Sequence, residues 1–283
     1  MLIAPHEKDI GFPVKRLLPS AQQQRVGPFI FFDHMGPAVF KPGTTEGDVR
    51  AHPHIGLATV TYLFSGAMMH RDSLGVVQRI EPGAINLMTA GRGVAHSERI
   101  PEDIRNNSMQ VEGLQLWLAL PEALEQSDPG FSHTAADKIP SCSGAGWTGR
   151  VMIGTAFGKT SPVQTATPTT YVELQLSAGV GCELPASDQE LALYVVAGKP
   201  WINGVEVPEH HLITLDHATS CKLQAGDQPS HLMMLGGETL PGARYINWNF
   251  VSSRKELIDQ ARQDWRDGRF AIVPGETEWI PLP

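Results

Sequence analysis

Two short pairs of metal-capable side chains, His52-Pro53-His54 and His96-Ser97-Glu98, carry the most chemistry in this chain of 283 residues. On a β-strand successive side chains point to opposite faces, so residues i and i+2 share a face about 6.8 Å apart. Two such pairs on neighbouring strands of a small barrel would aim His52, His54, His96 and Glu98 at one interior point. Three neutral imidazoles and one carboxylate leave a divalent ion with a net charge of +1 and, in an octahedron, two open positions. That set fits Fe(II), and Mn, Co, Ni, Cu or Zn could occupy it. The competing reading is a packed or solvated histidine couple, since a chain with 11 His will hold some close pairs by chance.

The flanking residues favour strands. Val60-Thr61-Tyr62-Leu63-Phe64 is β-branched and aromatic and ends at Ser65-Gly66. Pro82-Gly83 opens a second hairpin, Ala84–Met88 reads as its strand, and Gly91-Arg92-Gly93 leads into His96. Further strands are expected at Phe29–Asp33, Gly113–Leu120, Tyr171–Leu176, Leu191–Gly198 and His231–Gly237, with a hairpin about Asn203-Gly204. With 28 Gly and 22 Pro spread without period, the chain suits many short strands joined by tight turns.

Length and rhythm predict an all-β protein of two similar barrels: a metal-binding domain over 1–126, a connector over 127–149, and a second domain over 150–283 ending in a helix. The connector is assigned on its Ser, Gly, Pro and Ala content and weak periodicity. For the helix, Ser253-Arg254-Lys255-Glu256 reads as a capping box, Leu257, Ala261 and Trp265 as an apolar stripe, and Gly268 as the residue past its end. Pro121–Glu125 is expected to form a short helical turn.

A net charge of −8 without a basic block argues against nucleic-acid binding through phosphate neutralisation. Three scattered Cys point to a reducing compartment, and no stretch is apolar enough for a leader or a membrane span; a soluble cytoplasmic protein is expected. Weaker candidates are His70-Arg71-Asp72, read either as a polar cluster at a pocket mouth or as a turn with a local ion pair. Met88, Met109 and Trp117 read as core packing or as the wall of an aromatic-ligand cavity. His210 and His211 are adjacent, so on a strand they would face opposite ways and could not chelate together.

Several stretches resemble the pirin family of the cupin superfamily: Phe32-Asp33-His34-Met35-Gly36-Pro37, Asp48–Gly56, His70–Gly75, Met88–Glu98, Gly113–Trp117, Tyr194–Gly198 and Pro274-Gly275-Glu276. The resemblance implies two tandem cupin jelly-roll barrels. It places one mononuclear metal in the first, held by His52, His54, His96 and Glu98, with the second barrel degenerate. It implies a quercetin 2,3-dioxygenase-like activity: Glu98 takes the proton of a flavonol's 3-hydroxyl, dioxygen adds to the activated ring, and the ring opens with release of carbon monoxide. As the runner-up it implies a non-enzymatic metal- or redox-sensing protein that binds a transcription factor or enzyme. A third reading keeps the metal as a purely structural clamp. One departure is visible: pirins often carry Glu where this chain has Ala58, which bears on the surroundings of the site rather than on the four donors.

Overall fold

The computed structural model describes all 283 residues. The chain forms two compact units whose segments interleave along the sequence. The first comprises Met1–His6, Lys15–Phe32 and Asp137–Leu240; the second comprises Glu7–Val14, Asp33–Ala136 and Pro241–Pro283. The helix Lys255–Arg266 thus belongs to the unit that contains residues 33–136.

In the first unit a seven-stranded sheet runs in the order Leu2–Ile3, Leu212–Thr214, Glu190–Ala197, Ser230–Gly237, Thr169–Leu176, Trp147–Ile153, Ser141–Gly144. A four-stranded sheet runs Gly181–Leu184, Cys221–Gln224, Trp201–Ile202, Val205–Glu206. Alternate residues from both sheets, among them Val172, Leu174, Leu193, Val195, Cys221, Leu223, Leu232 and Met234, form one buried cluster. The hairpin turn at Asn203-Gly204 has positive φ at both positions (49° and 80°), as its sequence predicts. His210 and His211 sit in the turn before Leu212–Thr214, with His210 in the left-handed region, rather than on a strand.

The second unit is built the same way. Its four-stranded sheet runs Val49–His54, Val94–Arg99, Met68–Asp72, Val77–Ile80. Its larger sheet runs Gly130–Thr134, Ile85–Thr89, Leu57–Ser65, Gln110–Ala119 and on to the strand Phe29–Val39, of which Asp33–Val39 belongs to this unit. Leu63, Met68, Ile80, Ile104 and Val111 belong to one buried apolar cluster of this unit.

Residues 127–149 differ from the expected connector. Gly130–Thr134 pairs with Ile85–Thr89, and Ser141–Gly144 pairs with Trp147–Ile153. Both are edge strands with exposed positions, so they lack the apolar alternation that marks an internal strand. The capping box at Ser253 is also corrected. Arg254 is the N-cap and no side chain caps the helix. The Ser253 hydroxyl instead donates to the buried Glu125 carboxylate (3.0 Å), which also accepts from the Ser252 hydroxyl and the Ser253 N–H. Gly268 does follow the helix in the left-handed region, φ 68°. Pro121 precedes a single 3₁₀ turn, Glu122–Leu124, as its N-cap rather than its first residue.

Candidate metal centre

The His52 strand (Val49–His54) and the His96 strand (Val94–Arg99) pair antiparallel, with His96 directly opposite His52 and Val94 opposite His54. All three imidazoles lie on the same face, each offering one ring nitrogen within 4.8 Å of the others. Ring centroids are 4.3 Å apart for His52 and His96, and 5.0 Å for both other pairs. The turn after His54 requires glycine. Gly56 has φ 69°, and a Cβ there would lie 1.9 Å from the carbonyl oxygen of Val251.

Hydrogen bonds fix which nitrogen each ring presents. His52 Nδ1 donates to the Arg50 carbonyl (2.8 Å) and His54 Nδ1 to the Asn249 carbonyl (3.2 Å). Their Nε2 atoms therefore carry lone pairs. For His96 the chain is longer. Asp72 Oδ1 is occupied by the N–H groups of Leu74 and Val76, and Oδ2 accepts from His70 Nε2 at 3.0 Å. His70 Nδ1 is then an acceptor, and it faces His96 Nδ1 at 3.3 Å. His96 Nε2 is left with its lone pair, 3.1 Å from His54 Nε2. Two lone pairs at that distance repel unless a cation lies between them, and converging Nε2 donors backed by Nδ1–H bonds are the arrangement of a transition-metal site.

Burial agrees with that reading. It pushes His52 down to about 4 and holds His54 and His96 well below the ordinary imidazole value, so all three are neutral and free to ligate. Glu98 lies two residues past His96, on the same face and opposite His70. It is buried but is not among the three groups that close to within 4.8 Å. Burial raises its carboxyl above the usual range. A nearby divalent ion would supply the charge this carboxylate lacks.

Two readings from sequence change here. His70-Arg71-Asp72 lies on the strand Met68–Asp72, not in a turn, and His70 and Asp72 are buried behind His96. Their functional placement escaped the sequence because it depends on cross-strand register; the i, i+2 spacing of His70 and Asp72 was the available signal. Met109 is 45% exposed and lies outside the site, whereas Met88 and Trp117 are buried.

On the larger sheet, register aligns two rows on one face: Phe131, Met88, Thr59, Trp117, then His133, Asn86, Thr61, Gln115. Trp117 meets His54 edge to face (5.2 Å) and Phe131 stacks on His70 (4.5 Å), so the first row walls the histidines. The second row is polar and internally bonded, Thr61 to Gln115 at 2.9 Å and His133 to Asn86 at 2.7 Å. Ala58 is one residue from Thr59 and so faces away from the histidines, outside the donor set.

Comparison with known proteins agrees with this architecture. Residues 11–118 match the Pirin family, and residues 171–271 match the family described as Pirin C-terminal cupin domain. A pirin-like protein of Caulobacter vibrioides is 44% identical over 98% of this chain and 96% of its own length. Human pirin is 30% identical over 98% of this chain and 94% of its own. A solved quercetin 2,3-dioxygenase from Acinetobacter baumannii superposes with a TM-score of 0.92 at 32% identity, covering 100% of this chain and 94% of that one. With two cupin domains, a C-terminal helix and a buried three-histidine cluster able to hold a metal, the chain belongs to the pirin family.

Proposed function

We propose that this protein is a metal-dependent dioxygenase that cleaves quercetin-type flavonols at one mononuclear centre formed by His52, His54, His96 and Glu98. The observation that carries the reading is the convergence of three neutral imidazoles whose Nδ1 protons are engaged elsewhere. A divalent transition ion held there, Fe(II) by the balance of nitrogen and oxygen donors, would supply Lewis acidity and positions open to substrate and dioxygen.

The chain's own residues supply the rest. Glu98, made more basic by burial, takes the proton of the substrate's 3-hydroxyl. Trp117, Met88 and Phe131 present an apolar, largely aromatic wall to a flat ring system and keep bulk water from the histidines. Thr61, Gln115 and Asn86, one row further along, offer hydroxyl and amide groups to the substrate's oxygens. The structure of a homologue described as a quercetin 2,3-dioxygenase supports the flavonol assignment. No helix is long and apolar enough to cross a membrane.

Dioxygen consumption with quercetin, measured alongside metal content, tests the proposal. The wild-type protein should consume dioxygen and release carbon monoxide in equal amounts. His54→Ala should abolish both metal content and turnover. Glu98→Gln should lower kcat by roughly 100-fold or more, the scale of a lost general base. Equal rates in all three proteins would remove the enzymatic reading. A wild-type protein that binds the metal and leaves quercetin untouched would favour the regulatory alternative.

A further inference from the structure

We propose that the C-terminal strap, residues 273–280, is a positioning element for the metal centre and that Glu276 is its principal anchor. The inference rests on the metal-centre reading above and concerns the opposite face of the same strands.

The His52 and His96 strands do not pair in perfect register. His96 lies opposite His52, yet Glu98 lies opposite Val49, so two residues, Arg50 and Ala51, oppose the single residue Ser97. That is a β-bulge, which leaves carbonyls free and re-aims the side chains beside it. Both freed carbonyls are used. Arg50 O accepts from His52 Nδ1 at 2.8 Å, which sets the nitrogen that His52 presents to the centre. Ala51 O accepts from the strap's Ile280 N–H at 2.8 Å, with Ala51 and Trp279 bridged in parallel.

Across from the bulge, Ser97 Oγ donates to Glu276 Oε1 at 2.7 Å. Arg99 Nε reaches the same oxygen at 3.2 Å, and a second Arg99 nitrogen pairs with Glu276 Oε2. Arg99 also reaches Asp48, immediately before the His52 strand, at 3.4 Å. One carboxylate therefore grips the back of the strand whose front carries His96 and Glu98, and through Arg99 it reaches the start of the strand that carries His52 and His54.

The strap is itself fixed. Trp265 Nε1 donates to Ile280 O at 2.9 Å, and Val273 packs on Ala51 and Ala95. Alanine at those two back-face positions lets the chain approach closely, and a cavity of about 210 Å³ remains between strap and strands. Ser97 alternates with His96 and Glu98 along its strand and faces away from them, so the strap acts on the donors through the backbone at the bulge.

The test uses the full chain, stripped of metal and titrated with Co(II), whose visible absorption reports ligand geometry. Glu276→Gln should weaken Co(II) binding by roughly 10-fold, the lower range for loss of a group that orients ligands, and should shift the absorption bands. Glu276→Asp should recover much of both. Ile280→Pro, which deletes the N–H that caps the bulge, should act in the same direction as Glu276→Gln. Ile258→Ala, in the helix core, should lower the melting temperature while leaving affinity and spectrum unchanged. Affinity and spectrum unaltered in Glu276→Gln would overturn the strap's role alone. So would equal weakening of Co(II) binding in Ile258→Ala. A wild-type chain that takes up no Co(II) would overturn the metal-centre reading itself.

Discussion

In the unit that contains Thr169–Leu176, the residues facing inward are Val172, Leu174, Leu193, Val195, Leu232 and Met234, an apolar filling continuous with Cys221 and Leu223. The unit that contains Val49–His54 likewise combines a four-stranded sheet with a larger one, and Leu63, Met68 and Ile80 belong to one of its apolar clusters. The same unit also buries His52, His54, His70, Asp72, His96 and Glu98. The backbone scaffold is therefore indifferent to whether its interior is core or site. What decides is whether each buried polar atom meets a partner, and in the second unit the partners come from a bulge carbonyl, a hairpin carbonyl and the Asp72–His70 chain.

The largest effect should come from emptying each interior in turn. His96→Ala should reduce metal from about one ion per chain to a trace, because it removes the histidine donor contributed by the neighbouring strand. Leu174→Ala in the apolar interior should cost about 2–5 kcal/mol of stability and leave the metal in place. Metal analysis with chemical denaturation separates the two. Loss of metal in Leu174→Ala would mean that the interiors are not independent.

Removing the ion ranks next. A ligand bound only by the folded state stabilises by about 2.7 kcal/mol when its free concentration is one hundred times its Kd. Chelation should therefore lower the melting temperature. Hydrogen exchange should locate the loss of protection in Val49–His54 and Val94–Arg99 and spare Thr169–Leu176. Equal loss across both units would contradict the contrast.

Acid should act more gradually. His52 titrates at about 4 in the folded protein, and His54 and His96 lie well below the ordinary value of about 6.5 that they hold when unfolded. Between those values the unfolded chain binds more protons, so stability of the metal-free protein falls as pH drops from 6.5 toward 4. The slope approaches about 1.4 kcal/mol per pH unit for each histidine. Glu98 opposes this: its raised folded value means the folded state holds an extra proton above about 4.5. Three groups against one leave a net loss on acidification. Urea midpoints of metal-free protein at pH 7 and 5.5 measure it, and an unchanged midpoint would refute the histidines' neutrality.

How much of this was legible depended on how local each feature is. His-x-His and His-x-Glu are written within three residues, so the strand reading alone placed His52, His54 and His96 together. The role of His70 and Asp72 needed the register that sets Glu98 against His70 and His96 against Asp72, and no local pattern encodes that. The Ser253 capping box failed for the converse reason: a complete local motif lost to Glu125, a buried carboxylate distant in sequence that takes both serine hydroxyls. The interleaving of the two units was equally invisible, because short strands at a chain's edge carry no mark of the sheet they will join.

The smallest effect tests the contrast most directly, by exchanging one atom type between the two interiors. Thr61 is buried and its hydroxyl donates to Gln115 Oε1 at 2.9 Å. Thr61→Val keeps the shape and removes one hydrogen bond, so it should cost about 1 kcal/mol and leave the metal untouched. The reverse exchange, Val172→Thr, places a hydroxyl among Leu174, Val195 and Leu232, where no acceptor side chain waits. An unpaired buried hydroxyl costs about 1–3 kcal/mol, so this variant should lose at least as much as Thr61→Val, although it adds a polar group instead of removing one. If Val172→Thr proved neutral, the apolar interior would be as tolerant of polarity as the one that holds the histidines, and its apolar filling would no longer be a property that separates core from site.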